Sequence, residues 1–280
     1  MPRFVLVVAL LSALAACTST SPESRPAVPT PSSAPPPAQQ VYVSIGDSYA
    51  TGFGPSGTGE SFAQIVAKQS GLKLVNLACN GATSADLATK PACGSDAGGR
   101  TQLDAAVEAV RGKKDGLVTV VIGGNDLAPC AIAQDPLQCA TRTVAGIRTN
   151  VAATLTKLRE AAPDVKIVGL TYPDVFLGAW VNPSFPNGKN IAQLSVTMFQ
   201  DFNGTIAAEY AKFGAKFADV TNTTGGYSAL TELTQDPKYG QIPASVAKVC
   251  TLTYFCDRTD VHPTPAGHQA IADAVAAAAR

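Results

Sequence analysis

Val41-Tyr42-Val43-Ser44-Ile45-Gly46-Asp47-Ser48-Tyr49 decides how the chain is read: a short run rich in β-branched and aromatic residues stops at a glycine, and a carboxylate and a hydroxyl follow at once. Residues 41–45 read as a buried strand, and four further runs, 72–77, 117–122, 165–170 and 216–220, share their character. Between them, residues 61–69, 102–111, 141–161, 192–213 and 265–279 carry apolar side chains at three-and-four spacing with few breakers, which predicts helices. Alternating strands and helices predict a three-layer α/β/α domain with a central, mostly parallel five-stranded sheet. In such sheets ligands bind beyond the carboxyl ends of the strands, so the residues that follow each strand are the ones to read for chemistry. Residues 173–190 and 221–260 read as long irregular stretches. Phe176, Trp180 and Phe185 in the first, and Tyr227, Tyr239, Tyr254 and Phe255 in the second, either wall an apolar cleft or pack these loops onto the sheet.

The composition sets the outer limits. Of 280 residues 46% are hydrophobic and 15% charged, so there is ample material for one core. Twenty-one Lys and Arg balance 21 Asp and Glu, which leaves no basic field for a phosphate backbone and excludes nucleic acid as a partner. The amino end differs from the rest. Arg3 precedes an apolar run at 4–14, shorter than the roughly 20 residues of a spanning helix, so residues 1–16 read as a secretory signal peptide. The run ends in Leu14-Ala15-Ala16-Cys17, which resembles a bacterial lipobox and makes Cys17 the expected site of lipidation. Residues 17–40 then form a Pro/Ser-rich tether with little to bury, leaving 41–280 as the folded domain. The expected location is secreted and lipid-anchored to the cell membrane on its extracytoplasmic face, with Cys17 as the membrane contact.

With Cys17 set aside, six cysteines remain, in agreement with an oxidising compartment. They fall into sequence-local couples: Cys79 with Cys93, Cys130 with Cys139, Cys250 with Cys256. No C-x-x-C pair occurs and the chain has two histidines, His262 and His268, so no metal site is expected.

Four blocks stand where the chemistry should be: Gly46-Asp47-Ser48-Tyr49 after the first strand, Asn80-Gly81-Ala82-Thr83 after the second, Gly123-Gly124-Asn125-Asp126 after the third, and Asp260-Val261-His262-Pro263 near the end. In this order, over 41–280, they resemble the SGNH (GDSL) hydrolase superfamily, whose fold is flavodoxin-like. Tyr49 and the Cys before Asn80 are similar to the secreted actinobacterial esterase and lipase branch, which has three disulfides. The resemblance implies a serine esterase or lipase that cleaves carboxylic esters through an acyl-enzyme without a cofactor, acting on an acyl lipid or acylated sugar. It implies an oxyanion hole of the Ser48 amide, the Gly81 amide and the Asn125 side chain.

The residues support this independently. Ser48 follows a strand end, where a hydroxyl can stand clear of the sheet, and a serine needs a base to become a nucleophile. His262, on a loop before Pro263, suits that role, whereas His268 falls inside a helical pattern and reads as structural. Gly81 would leave room for the tetrahedral carbon. One departure from the family pattern concerns the residue that orients His262. The family places an Asp three residues before the base, where this chain has Thr259. Asp260, the Thr259 carbonyl and Asp257 are then the choices, with Asp260 first because side chains two apart in extended chain share a side.

Two other patterns carry less. Residues 52–57 spell G-x-G-x-x-G, yet they stand away from the strand, contain Pro55 and lack the acidic partner that a dinucleotide site needs. Asn203 and Asn222 open glycosylation sequons without consequence in a bacterial lipoprotein. Two readings compete with esterase action: a deacetylase or acyltransferase of carbohydrate or glycolipid that uses the same residues, and a non-catalytic binding lipoprotein of the cell envelope.

Overall fold

The structure is a computed structural model that describes residues 40–280; the leader, Cys17 and the tether up to residue 39 lie outside the described residues. Five parallel strands form the central sheet: β1 (Val41–Gly46), β2 (Lys73–Asn76), β3 (Gly116–Val121), β4 (Lys166–Leu170) and β5 (Lys216–Ala218). Their spatial order is β2-β1-β3-β4-β5, with Val43 opposite Val75 on one side and Val118 on the other. This is the doubly wound order whose switch point lies between β1 and β3. The five observed strands are the five expected from the sequence.

Seven helices position the site: α1 (Ser48–Thr51), α2 (Phe62–Ser70), α3 (Gln102–Val110), α4 (Pro136–Ala161), α5 (Gly188–Ala211), α6 (Ala244–Leu252) and α7 (Pro265–Ala278). Successive strand residues point to opposite faces. Val43, Ile45, Val118, Val120 and Ile167 therefore meet Leu103, Ile147, Leu155 and Tyr210 of α3, α4 and α5 on one side. On the other side Tyr42, Leu117, Val121 and Val168 meet Phe62, Val66, Ile271 and Val275 of α2 and α7. A sheet buried on both faces explains the near-continuous apolar strands. Gly169 is a place where glycine is required: a Cβ there would lie 2.4 Å from the Tyr210 ring.

Helix starts and both long stretches differ from expectation: α5 begins at Gly188 rather than residue 192, and the 173–190 stretch holds a short 3-10 helix at Val175–Trp180. Helix α4 begins at Pro136 rather than residue 141, because Asp135 caps it by accepting from Gln138 N and Pro136 suits the first helical position. The 221–260 stretch is not irregular. It holds an antiparallel hairpin, Leu233–Asp236 with Gly240–Pro243, and then α6, which buries Val246, Val249 and Leu252 at three-residue spacing. The loop aromatics mostly take the packing role: Phe255 stacks on Phe185 and meets Phe176 edge to face, and Trp180 and Tyr239 pack with Leu177, Val246 and Val249. Asn203 is buried and donates to Thr221 and Tyr227, so its sequon is inaccessible. Among the described residues no helix is long and apolar enough to cross a membrane.

His268 lies on α7, 4% exposed, and its Nδ1 accepts the Phe62 N–H at 3.3 Å, which joins α7 to α2. Burial first, and the charge of nearby His262 second, push its imidazole down to about 4. Unfolded chain binds this proton more readily, so the stabilisation is complete above about pH 6.5 and is lost as pH falls toward 4. Asn can supply the same acceptor without titrating. Urea denaturation should show wild type losing up to about 3 kcal/mol more than His268→Asn between pH 7 and pH 4; parallel losses would show that His268 is not held neutral.

Candidate active site

The four blocks converge at the carboxyl edge of the sheet, around the β1/β3 switch point. β1 ends in Gly46, where any Cβ would lie 2.1 Å from the Val121 carbonyl oxygen. Gln102 of α3 grips this residue from both sides: its Oε1 accepts from Gly46 N at 2.8 Å and its Nε2 donates to Gly46 O at 3.0 Å. The chain then turns directly into α1. Asp47 caps that helix by accepting from Tyr49 N at 3.0 Å. Ser48 is the first helical residue, so its N–H has no acceptor within the helix.

Ser48 Oγ lies 2.9 Å from His262 Nε2, and His262 Nδ1 lies 2.8 Å from Asp260 Oδ1. A carboxylate oxygen accepts, so Nδ1 carries the ring proton and Nε2 is left to take the serine proton. Thr259 leaves the single helical turn Phe255–Arg258 in the left-handed region at φ 55°, and Asp260 Oδ1 also accepts the His262 backbone N–H at 2.9 Å. This side-chain turn folds the carboxylate back onto the ring two residues on. Asp257 is engaged elsewhere, with Lys238 and Tyr239, and the Thr259 hydroxyl accepts from Asn182.

The loop that carries His262 is itself fastened. Tyr254 N donates to His262 O, Thr264 N donates to Leu252 O, and the Tyr49 hydroxyl donates to Val261 O at 2.5 Å. Phe53, in the small hairpin Phe53–Gly54 with Gly57–Thr58, meets the imidazole edge to face at 5.0 Å between centroids. The glycine-rich 52–57 segment thus walls the histidine.

After β2, Cys79 to Ala82 forms a tight turn closed by Ala82 N to Cys79 O, with Gly81 at φ 75°. Glycine is needed there for the left-handed backbone, since a Cβ would meet nothing within 4 Å. The turn's own bond leaves the Gly81 N–H unused by it. Asn125 Nδ2 crosses from the end of β3 and donates one hydrogen to the Ala82 carbonyl at 3.0 Å, which leaves the second amide hydrogen for another acceptor. Asp126 accepts from Ser84 N at 2.8 Å and Ser84 Oγ at 2.6 Å, and Thr51 donates to Asn80. Ser48, Gly81 and Asn125 are in this way laced into one rim.

The disulfides are the sequence-local couples: Cys79–Cys93 beside the Gly81 turn, Cys130–Cys139 between the segment after Asn125 and α4, and Cys250–Cys256 before the His262 loop. Among the described residues, no three His, Cys, Asp or Glu side chains gather as a metal ion would require.

The sequence did not single out Asp47, Gln102 or Tyr172. Asp47 is buried, and that burial pushes its carboxyl up to about 7 against the pull of its bonds to Tyr172 and Tyr49 N. A carboxylate next to Ser48 in the quoted stretch was the available signal; nothing in the spacing marks Gln102 or Tyr172.

Residues 44–270 match the model of the GDSL-like lipase/acylhydrolase family. No curated protein sequence matches the chain significantly. Among solved structures the chain is similar to an extracellular lipase from Streptomyces rimosus, at 19% identity over 86% of this chain and 100% of that one, with TM-score 0.56. It is also similar to phospholipase A1 from Streptomyces albidoflavus NA297 (19%, 86% and 100%, 0.51) and to the lipase Lip_vut3 from goat rumen metagenome (17%, 86% and 97%, 0.58). At these identities the likeness is one of fold. The family match runs across all four blocks, and the chain belongs to the GDSL-like lipase/acylhydrolase family of ester hydrolases.

Proposed function

We propose that the chain is an extracytoplasmic serine esterase, tethered through lipidated Cys17 and the 17–40 spacer, whose folded domain at 41–280 hydrolyses carboxylic esters of acyl lipids or acylated sugars through an acyl-enzyme. The observation that carries the reading is the line from Ser48 Oγ through His262 to Asp260, at 2.9 and 2.8 Å. In this reading Ser48 Oγ attacks the ester carbonyl while His262 Nε2 takes its proton, and Asp260 holds the ring in the right tautomer and stabilises the imidazolium. The charge that develops on the carbonyl oxygen is met by the Ser48 and Gly81 amides and the Asn125 carboxamide. Collapse expels the alcohol with the proton from His262. Water then attacks the acyl-enzyme with the same histidine as base, restoring Ser48.

Three disulfides in one domain support an oxidising compartment. The lipobox-like Leu14-Ala15-Ala16-Cys17 supports the anchor.

Ser48→Ala should abolish turnover of p-nitrophenyl esters while leaving the thermal transition in place. Asn125→Ala should lower kcat by about 10²- to 10³-fold with KM little changed. Turnover surviving in the Ser48 variant, or a loss confined to KM in the Asn125 variant, contradicts these roles.

The anchor has its own test. In the native host, Cys17→Ser should abolish incorporation of a labelled fatty acid and move the protein out of the membrane fraction; unchanged labelling and fractionation would refute lipidation at this residue.

A further inference from the structure

Tyr172 stands just beyond β4, at the edge of the site but in none of the four blocks. Its backbone carbonyl accepts from Thr221 Oγ1 at 2.6 Å, and its ring meets Tyr49 edge to face with centroids 4.9 Å apart. Its hydroxyl makes two bonds of opposite sense. It donates to Asp47 Oδ2 at 2.5 Å and accepts the Gly124 N–H at 3.1 Å. Asp47 immediately precedes Ser48, and Gly124 immediately precedes Asn125. One phenolic oxygen therefore bridges the turn after β1 and the turn after β3. The approach is close: a Cβ on Gly124 would lie 3.1 Å from the Tyr172 ring.

We propose that Tyr172 is a positioning residue, which holds Asn125 in register with Ser48 through the hydrogen-bond chain Asp47–Tyr172–Gly124. The inference rests on the roles proposed above for Ser48 and Asn125. The Asn125 turn has other ties, from Asn125 to Ala82 and from Asp126 to Ser84, but these bind it to the turn after β2. The Tyr172 hydroxyl ties it to the start of α1. Without that hydroxyl the Asn125 carboxamide keeps its place relative to Gly81 and loses its fixed distance from Ser48. An oxyanion donor works at full strength only when the reacting oxygen forms where the donor points, and a misplacement of about 1 Å can cost about 10²-fold. Such a loss falls on kcat, because the ground-state ester does not yet carry the charge that Asn125 is proposed to meet.

Tyr172→Phe keeps the ring, its contact with Tyr49 and the backbone bond to Thr221, and removes only the bridge. With p-nitrophenyl esters it should lower kcat by about 10- to 100-fold with KM within about twofold. The decisive arm is a double-mutant cycle: in an Asn125→Ala background, where the donor is already gone, Tyr172→Phe should cost less than about threefold more. If the same full loss appears in both backgrounds, or if kcat is unchanged, or if only KM moves, the proposal is wrong. Should the Phe variant fail to fold, Asp47→Ala probes the chain from its other end, because it removes the carboxylate that accepts the Tyr172 proton. It should show the same kcat loss and the same lack of additivity with Asn125→Ala, and full activity there would overturn the proposal. Ser48→Ala serves as the separate control: turnover in that variant would refute the underlying assignment, whereas an inactive Ser48 variant beside a fully active Tyr172 variant would refute the positioning role alone.

Discussion

A hydrogen bond of 2.9 Å between Ser48 Oγ and His262 Nε2 joins two residues 214 positions apart, and the rest of the structure is organised around keeping it. Proton transfer demands heavy-atom distances near 3 Å. The two ends of the chain must therefore be fixed against each other far more tightly than packing alone would require. The serine end is fixed by β1, which is paired on both sides by β2 and β3, and by Gln102 closing on Gly46. The histidine end is a loop, and a loop needs explicit ties. Backbone bonds of Tyr254 and Thr264, the side-chain turn of Asp260 and the Tyr49 hydroxyl supply them. Tyr49 is the more telling because it sits on α1, next to Ser48, so the helix of the proposed nucleophile also holds the loop that carries the proposed base.

The sheet order explains why the other groups arrive at the same place. At a β1/β3 switch point the connections leave in opposite directions and a crevice opens between them. Blocks after β1, β2 and β3 then face one another with no help from sequence proximity. What the topology leaves loose is register, and half-buried polar side chains set it: Asn125 to Ala82, Asp126 to Ser84, Tyr172 between Asp47 and Gly124. These contacts are not free of cost. Burial drives the Asp47 carboxyl up to about 7, a sign of desolvation that its hydrogen bonds offset only in part. A fold stabilised by apolar contact between β1 and its covering helices can tolerate such a group beside its site.

How much of this was legible in the residues depended on the range of the interaction. Periodicity is local, so the five strands and the long helices could be read, and Pro136 displaced the start of α4 because a cap and a proline outweigh weak amphipathicity in the first turn. The stretch 221–260 hides its hairpin because a four-residue strand carries little pattern, although Val246, Val249 and Leu252 have the spacing of α6. The local pairing of cysteines was readable for the same reason that strands were. Asp260 could be named but not its route to the ring, which depends on the left-handed Thr259. Gln102 and Tyr172 were beyond reach, since each acts on a partner 48 to 125 residues away through a bond that leaves no periodic trace.

The central claim is that Ser48, Gly81 and Asn125 surround one developing oxyanion while His262 serves Ser48. A crystal structure of the protein after reaction with an alkyl fluorophosphonate tests it most directly, because the tetrahedral adduct freezes the geometry of the attacked carbonyl. The account predicts phosphorus bonded to Ser48 Oγ, with the phosphoryl oxygen within about 3.2 Å of Ser48 N, Gly81 N and Asn125 Nδ2. An adduct on another residue, or a phosphoryl oxygen turned away from Gly81 and Asn125, would contradict it.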